Sequence, residues 1–275
     1  AGPLAPWLLR RRARRGKEMP GRMGERLGLA GGPRPGVPLV WLHGASVGEA
    51  MSLVPLVEAL GRARPGIACL VTTGTRTSAE RVAPMLPPFA MHRFVPVDTR
   101  AAVRRFLHHW RPDLAVWVES EFWPRLMVET ARAGVPMCLA NARLSAPSAA
   151  RWARAPGMAR ALIGLFGRIW TQDAETEARL LTLGADPARI GVSGNLKTLL
   201  PPPACDEAER AGLAGALAGR PVWLAASTHP GEERAALDAH RLLRDTHPGA
   251  LLILAPRHPA RGAAVADLAA AAGRR

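Results

Sequence analysis

Short, nearly continuous apolar runs recur along the chain, each followed by small or polar residues and then by a helical apolar spacing. The runs Leu39–Leu42, Ala68–Thr72, Met91–Pro96, Leu114–Val118, Met137–Asn141, Arg168–Thr171 and Arg189–Val192 read as strands. Helical patterns lie between them at 49–63, 76–86, 99–110, 122–133, 146–166 and 174–183. Strands apolar on both faces and separated by helices predict a parallel sheet covered on both sides, an α/β fold. Pro201-Pro202-Pro203 fits neither helix interior nor central strand and reads as a linker. After it the pattern restarts with a helix at 206–218, a strand Pro221–Ala226, a helix at 231–246, a strand Ala250–Ala255 and a helix Ala260–Ala272. Two strands are few for a sheet of their own, so this second unit is expected to be incomplete within the chain. The expected division is a basic arm at 1–35, a first Rossmann-like domain at 36–200 and the start of a second domain at 201–275.

Composition changes this picture in two places. The formal charge of +15 points to anionic partners, although arginine has almost displaced lysine, leaving only Lys17 and Lys197. At the front, Leu4-Ala5-Pro6-Trp7-Leu8-Leu9 runs into Arg10, Arg11, Arg12, Arg14, Arg15 and Lys17. An apolar stub flanked by basic residues resembles the end of a membrane anchor on an anionic, cytoplasmic face, the alternative being a solvated basic tail. The eight tryptophans are scattered in apolar runs rather than interleaved with the arginines on one surface, which argues against a nucleic-acid partner. Cys69, Cys138 and Cys205 have no zinc-like spacing, and no metal site is expected.

The candidate chemistry sits where strands end. In His43-Gly-Ala-Ser-Val-Gly-Glu49 a strand stops at a glycine turn and Glu49 falls in the first helical turn, at the sheet edge where open α/β folds bind ligands. The backbone N–H groups around Ser46 and Gly48 could hold an anion there. The same Gly44-x-Ser46-x-Gly48 segment also matches the nucleophile elbow of an α/β serine hydrolase, with His229, His247 or His258 as candidate partners. A third reading is that small residues serve only a tight turn. Glu119 and Glu121 end the next acidic strand, before Trp123-Pro124. Thr72–Ser78 places hydroxyls and Arg76 at another helix start, suiting phosphate or simple capping. Lys197 closes the first domain, and Ser227, His229, Pro256, Arg257 and His258 follow the strands of the second.

Together these segments resemble the Kdo (3-deoxy-D-manno-octulosonic acid) transferase family. The matching stretches are Met23-Gly-Glu-Arg26, His43–Glu49, Glu119-Ser-Glu-Phe-Trp-Pro124, Asn141-Ala-Arg-Leu-Ser145, Gly194-Asn-Leu-Lys197, Ser227-Thr-His-Pro-Gly-Glu232 and Pro256-Arg-His258, in family order. The resemblance implies a GT-B fold of two Rossmann-like domains, and inverting, metal-independent transfer of Kdo from CMP-Kdo to a lipid A precursor (lipid IVA) in lipopolysaccharide core biosynthesis. It places the enzyme at the cytoplasmic face of a bacterial inner membrane, with no cofactor. It implies Glu49 as general base, Glu119 and Lys197 as transition-state stabilisers, and Pro256 and Arg257 against the CMP part of the donor, with His258, Ser227 and His229 alongside. Ser46, Gly48 and Arg76 would face the phosphorylated acceptor. The family's later glycine-rich, Gly-Gly-His-Asn and Glu-Pro donor motifs do not occur in the chain, which again implies an incomplete second domain.

Overall fold

A computed structural model describes residues 5–16, 18–29, 31–120, 122–200 and 205–273. Lys17, Glu121 and the Pro201–Pro203 linker named above lie outside the described residues. The chain divides into two compact units, residues 1–201 and 202–275.

The first unit opens with α1 (Ala5–Arg14) and the single turn α2 (Met23–Arg26). Then follow β1 (Leu39–His43), α3 (Val47–Ala63), β2 (Ala68–Thr73), α4 (Arg76–Val82), β3 (Ala90–Phe94), α5 (Arg100–Trp110), β4 (Leu114–Val118), α6 (Pro124–Arg132), β5 (Met137–Ala142), α7 (Ala146–Ala153), α8 (Pro156–Ile163), β6 (Arg168–Thr171), α9 (Ala174–Thr182) and β7 (Ile190–Val192). The seven strands form one parallel sheet in the order β3-β2-β1-β4-β5-β6-β7. The α/β reading with a parallel sheet holds, with two local differences. The helix expected at 146–166 is two helices, because Pro156 lacks the N–H a continuous helix needs and holds Ala155 off helical geometry. The helix expected at 76–86 stops at Val82 and tightens into a 3₁₀ turn over Ala83–Met85, at Pro84.

Strand side chains alternate between two cores. Leu39, Trp41, Leu70, Trp117 and Leu139 pack with Phe106, Leu126 and Phe166 of the helical layer on one face. Val40, Leu42, Cys69, Val71 and Val116 pack with Leu53 and Val57 of α3 on the other. Trp41 and Trp117 are fully buried with ring centroids 4.9 Å apart, and the Trp41 indole N–H donates to Thr72 Oγ1 at 2.8 Å. Each such side chain contributes on the order of 2–3 kcal/mol through area removed from water, so the sheet centre is the stiffest ground in the unit.

Residues 18–29, expected within a basic arm, lie along the outer edge of β3. Glu25 accepts the Phe94 N–H at 2.7 Å, Arg22 donates to the His92 carbonyl at 3.1 Å, and Val97 N–H donates to the Arg26 carbonyl at 2.8 Å. An edge strand offers a row of free backbone groups, and this segment occupies them. Its turn needs Gly28, whose φ is +77° and whose missing side chain would strike the Ala102 carbonyl. Glu18 is buried between Arg12 (2.6 Å) and Arg26 (3.4 Å), joining α1 to the same strap. Among the described residues no helix is long and apolar enough to cross a membrane.

In the second unit α10 (Glu207–Leu217), β8 (Val222–Thr228), α11 (Glu232–Thr246), β9 (Leu251–Pro256) and α12 (Gly262–Ala271) surround a two-stranded parallel sheet separate from the first. Glu233 at the start of α11 is buried and takes a two-pronged contact from Arg261 (2.6 and 3.2 Å) and the Thr228 hydroxyl (2.9 Å). The Arg261 hydrogen bond holds the Glu233 carboxyl down at about 2 against the cost of burial.

Burial pushes His43 down to about 4, and burial together with the Arg22 and Arg93 charges pushes His92 down to about 3. His92 accepts from Arg22 on Nδ1 (3.1 Å) and reaches Thr73 Oγ1 through Nε2 (3.0 Å), a neutral ring fixed by its partners. An unfolded imidazole takes a proton below about 6.5, so the unfolded state binds protons first as pH falls. Stability is therefore whole above about pH 6.5 and is lost as pH drops towards the folded values. Between pH 6.5 and 5.5, above the ordinary range of carboxylates, the loss should be about 1 kcal/mol per imidazole. Thermal melts across that interval should show Tm falling in the native chain and falling less in His92→Gln; a flat Tm in the native chain contradicts the assignment.

Candidate active site

The strand order reverses between β1 and β4, which lie side by side with Val40 against Leu114 and His43 against Trp117. Crossovers leave β1 toward one face and enter β4 from the other, opening a crevice at their carboxyl ends. Glu49 follows β1 and Glu119 follows β4, so the two acidic strand ends singled out from sequence are brought to the same crevice.

Glu49 is set by the turn before it. Gly44 lets the turn pack closely there, since a β-carbon would lie 3.0 Å from the Glu49 carbonyl carbon. Ser46 is the N-cap of α3, its hydroxyl accepting the Glu49 N–H at 3.3 Å and donating to Glu49 Oε1 at 2.7 Å. Glu49 Oε2 accepts the Ala45 N–H at 2.8 Å and lies 3.5 Å from that of Ser46. This is a reciprocal capping box. It fixes a largely buried carboxylate at the positive end of a helix while leaving lone pairs for a further donor.

Lys197 Nζ lies 2.7 Å from Glu119 Oε1, in a pair that keeps partial contact with solvent. The same ammonium passes Gly48, whose absent β-carbon would stand 3.6 Å from Nζ. The lysine thus touches both sides of the crevice: the carboxylate after β4 and the first turn of α3. Glu119 has φ +57°, a left-handed backbone that costs a non-glycine residue roughly 1–2 kcal/mol. Strain of this kind persists where surrounding structure enforces it, commonly at functional sites.

Other sequence candidates are placed differently. Arg76, in the first turn of α4, pairs with Glu80 at 2.6 Å on the exposed surface, and the Thr75 and Ser78 hydroxyls bind each other at 2.6 Å in the cap of that helix. Capping therefore accounts for the Thr75 and Ser78 hydroxyls, while those of Thr72 and Thr73 are held inside the sheet by Trp41 and His92. Ser46 as a hydrolytic nucleophile finds no imidazole at its hydroxyl, whose partner is the Glu49 carboxylate. In the second unit the strand ends do converge: the Arg257 N–H donates to the Thr228 carbonyl at 3.0 Å and the His229 and His258 rings lie 6.2 Å apart. Ser227, at φ +59°, sits where the β8–β9 register shifts just before the strand ends. Among the described residues no group of three or more His, Cys, Asp or Glu side chains is placed to hold a metal ion.

Three contributors had no role assigned from sequence. His43 is buried beneath the crevice, its Nδ1 3.0 Å from Thr72 Oγ1 and its ring edge-on to Trp123. Asp98, following β3, caps α6 across the sheet by accepting the Leu126 N–H at 2.6 Å, so Trp123 needs no capping side chain of its own. Asn141 lies at the end of β5 in a left-handed backbone, φ +52°. Its place at a strand terminus and in the Asn141–Ser145 family stretch was legible beforehand; its contact was not.

Residues 21–200 match the family profile of 3-deoxy-D-manno-octulosonic-acid transferase (kdotransferase). The chain is 34% identical over 270 residues to a probable mitochondrial 3-deoxy-D-manno-octulosonic acid transferase of Arabidopsis thaliana, covering 96% of this chain and 60% of that protein. It is 35% identical over 253 residues to the transferase of that name from Haemophilus influenzae, covering 90% and 58%. The chain thus spans about three fifths of the relatives' length. Among solved structures, a Rickettsia africae glycosyltransferase superposes with TM-score 0.58 at 11% identity over 87% of this chain and 66% of that one. A putative UDP-N-acetylglucosamine 2-epimerase of Listeria monocytogenes gives TM-score 0.58 at 18% identity over 85% and 65%. The shared fold is of GT-B type.

Because Ser46 acts as a cap, Ser46→Ala should lower stability by ~1 kcal/mol in urea denaturation. Ser46→Asp, which keeps an acceptor for the Glu49 N–H, should recover part of the loss. Esterase activity towards a chromogenic ester that disappears in Ser46→Ala would instead restore the hydrolase reading.

Proposed function

The chain belongs to the 3-deoxy-D-manno-octulosonic acid transferase family, and we propose that its two units are the acceptor lobe and part of the donor lobe of an inverting glycosyltransferase that moves Kdo from CMP-Kdo to a lipid A precursor. The observation that carries this reading is the Lys197–Glu119 pair set against the first turn of α3, beside a carboxylate already oriented by its own helix cap.

In this reading the acceptor hydroxyl attacks the anomeric carbon of Kdo as the bond from that carbon to the CMP phosphate oxygen breaks. The hydroxyl proton passes to Glu49, whose carboxylate must stand within about 2.6–3.2 Å of it. The anomeric centre gains positive character and the departing CMP gains negative charge. Glu119 faces the first and Lys197 the second, and a fixed ion pair at a crevice meets both without reorganising. On the donor side Pro256 and Arg257 would contact CMP, with Ser227, His229 and His258 beside them. Lys197, Arg257 and backbone N–H groups supply charge stabilisation that a divalent cation supplies in other transferases. Ser46 and Gly48 would border the acceptor, and Arg76 would reach an acceptor phosphate by exchanging Glu80 for it.

The same reading sets the protein against the cytoplasmic face of a bacterial inner membrane. Trp7 and Leu8 of α1 are exposed beside Arg10, Arg11 and Arg14, a combination that favours an anionic lipid surface.

Glu49→Gln should lower kcat for Kdo transfer by about 10²–10⁴ with the KM for CMP-Kdo little changed. Turnover within tenfold of the native enzyme rules out the base assignment. Co-sedimentation with phosphatidylglycerol vesicles should weaken with added salt and drop when Arg10, Arg11 and Arg14 are replaced by glutamine; equal binding to neutral phosphatidylcholine vesicles would contradict a charge-led contact.

A further inference from the structure

Lys197 belongs to the segment after β7, at the far edge of the sheet, yet its ammonium meets Glu119, which follows the central β4. The chain must therefore double back over the carboxyl ends of β6 and β5. It does so through Gly194, at φ +84°, and a 3₁₀ turn over Leu196–Leu199. Asn195 caps that turn locally, accepting the Lys197 N–H at 3.0 Å. The long-range tie is a different residue: Asn141 Oδ1 accepts the Leu196 N–H at 3.0 Å, linking the end of β5 to the residue just before the lysine.

Asn141 carries two costs. Its backbone is left-handed, and its Nδ2 is buried with no hydrogen-bond partner among the described residues. A buried amide donor left unpaired is expensive. Asn141 and Leu196 border a mainly apolar cavity of about 360 Å³ with Leu56, Val116, Ala140 and Trp170. Aspartate or asparagine tolerates the backbone, but only a group held for its oxygen explains the whole arrangement. The amide orientation is fixed by that contact, because only the oxygen can accept from a backbone N–H.

We propose that Asn141 is a positioning residue: its side-chain oxygen pins the returning segment so that Lys197 stays on Glu119. That the pinned pair serves sugar transfer rests on the function proposed above; the pinning itself does not.

The chain's having two lysines makes this directly readable. Under limiting acetic anhydride, peptide mass spectrometry gives the acetylation rate of Lys197 with Lys17 as internal reference. Asn141→Gly deletes the anchor while suiting the positive φ, so it spares the backbone. It should raise the Lys197-to-Lys17 ratio about fivefold, the factor one lost hydrogen bond corresponds to. Glu119→Gln should raise it likewise, and Asn141→Asp, which keeps an acceptor oxygen, should leave it within about twofold of the native value. An unchanged ratio in Asn141→Gly, alongside an unchanged Tm, overturns the anchor. A rise in Asn141→Asp equal to that in Asn141→Gly also overturns it, since the oxygen would then not be what holds the segment. In a transfer assay Asn141→Gly should reduce kcat and leave the KM for CMP-Kdo unaltered. A raised labelling ratio with native kcat would keep the pinning and overturn its service to catalysis.

Discussion

The pairing of β1 with β4 is the constraint on which the rest of the first unit depends. Side-by-side parallel strands entered from opposite faces leave an opening that no crossover helix can fill. Two glutamates that are seventy residues apart in sequence become neighbours for that reason alone. The buried tryptophans of those two strands stiffen the floor beneath them. Above the floor, side chains and backbone share the placing: the cap of α3 aims Glu49 through the Ser46 hydroxyl and the Ala45 N–H, and the doubled-back segment after β7 delivers Lys197.

Much of this was legible in the sequence, and unevenly so. The strand–helix alternation was clear because strands buried on both faces leave unbroken apolar runs, as Leu39–His43 and Leu114–Val118 do. Glu49 was recognisable because a glycine turn followed by serine and an acid three residues later is a helix start in its own right. What that pattern hides is the double use of the serine, which reads equally as a nucleophile until its hydroxyl is seen on a carboxylate. Arg76 looked like a phosphate ligand by type and position, yet an acid four residues along the same helix takes its guanidinium. Asn141 and Asp98 escaped a role for a different reason. Their partners lie 55 and 28 residues away, and local pattern carries no information about contacts made through topology.

Left-handed backbone recurs near strand ends in both units. Glu119, Asn141 and Ser227 adopt it without being glycine: Glu119 directly follows β4, whereas Asn141 and Ser227 lie inside β5 and β8 where the pairing register shifts. Two other residues with positive φ, Arg111 and Ala218, merely close helices. A helix end can adopt this geometry wherever the chain must turn, whereas within a strand it accompanies a bulge that bends the strand and re-aims its side chains.

The strap of residues 18–29 along β3 has a consequence for how copies of the molecule can meet. With Glu25, Arg22 and Arg26 satisfying the margin of that strand, the sheet is closed to any intruding polypeptide on this flank. On this sheet strand addition is left the opposite margin, where β7 is three residues long. The basic segment before β1, whatever it does at a surface, thus also shields one flank of the large sheet from self-association.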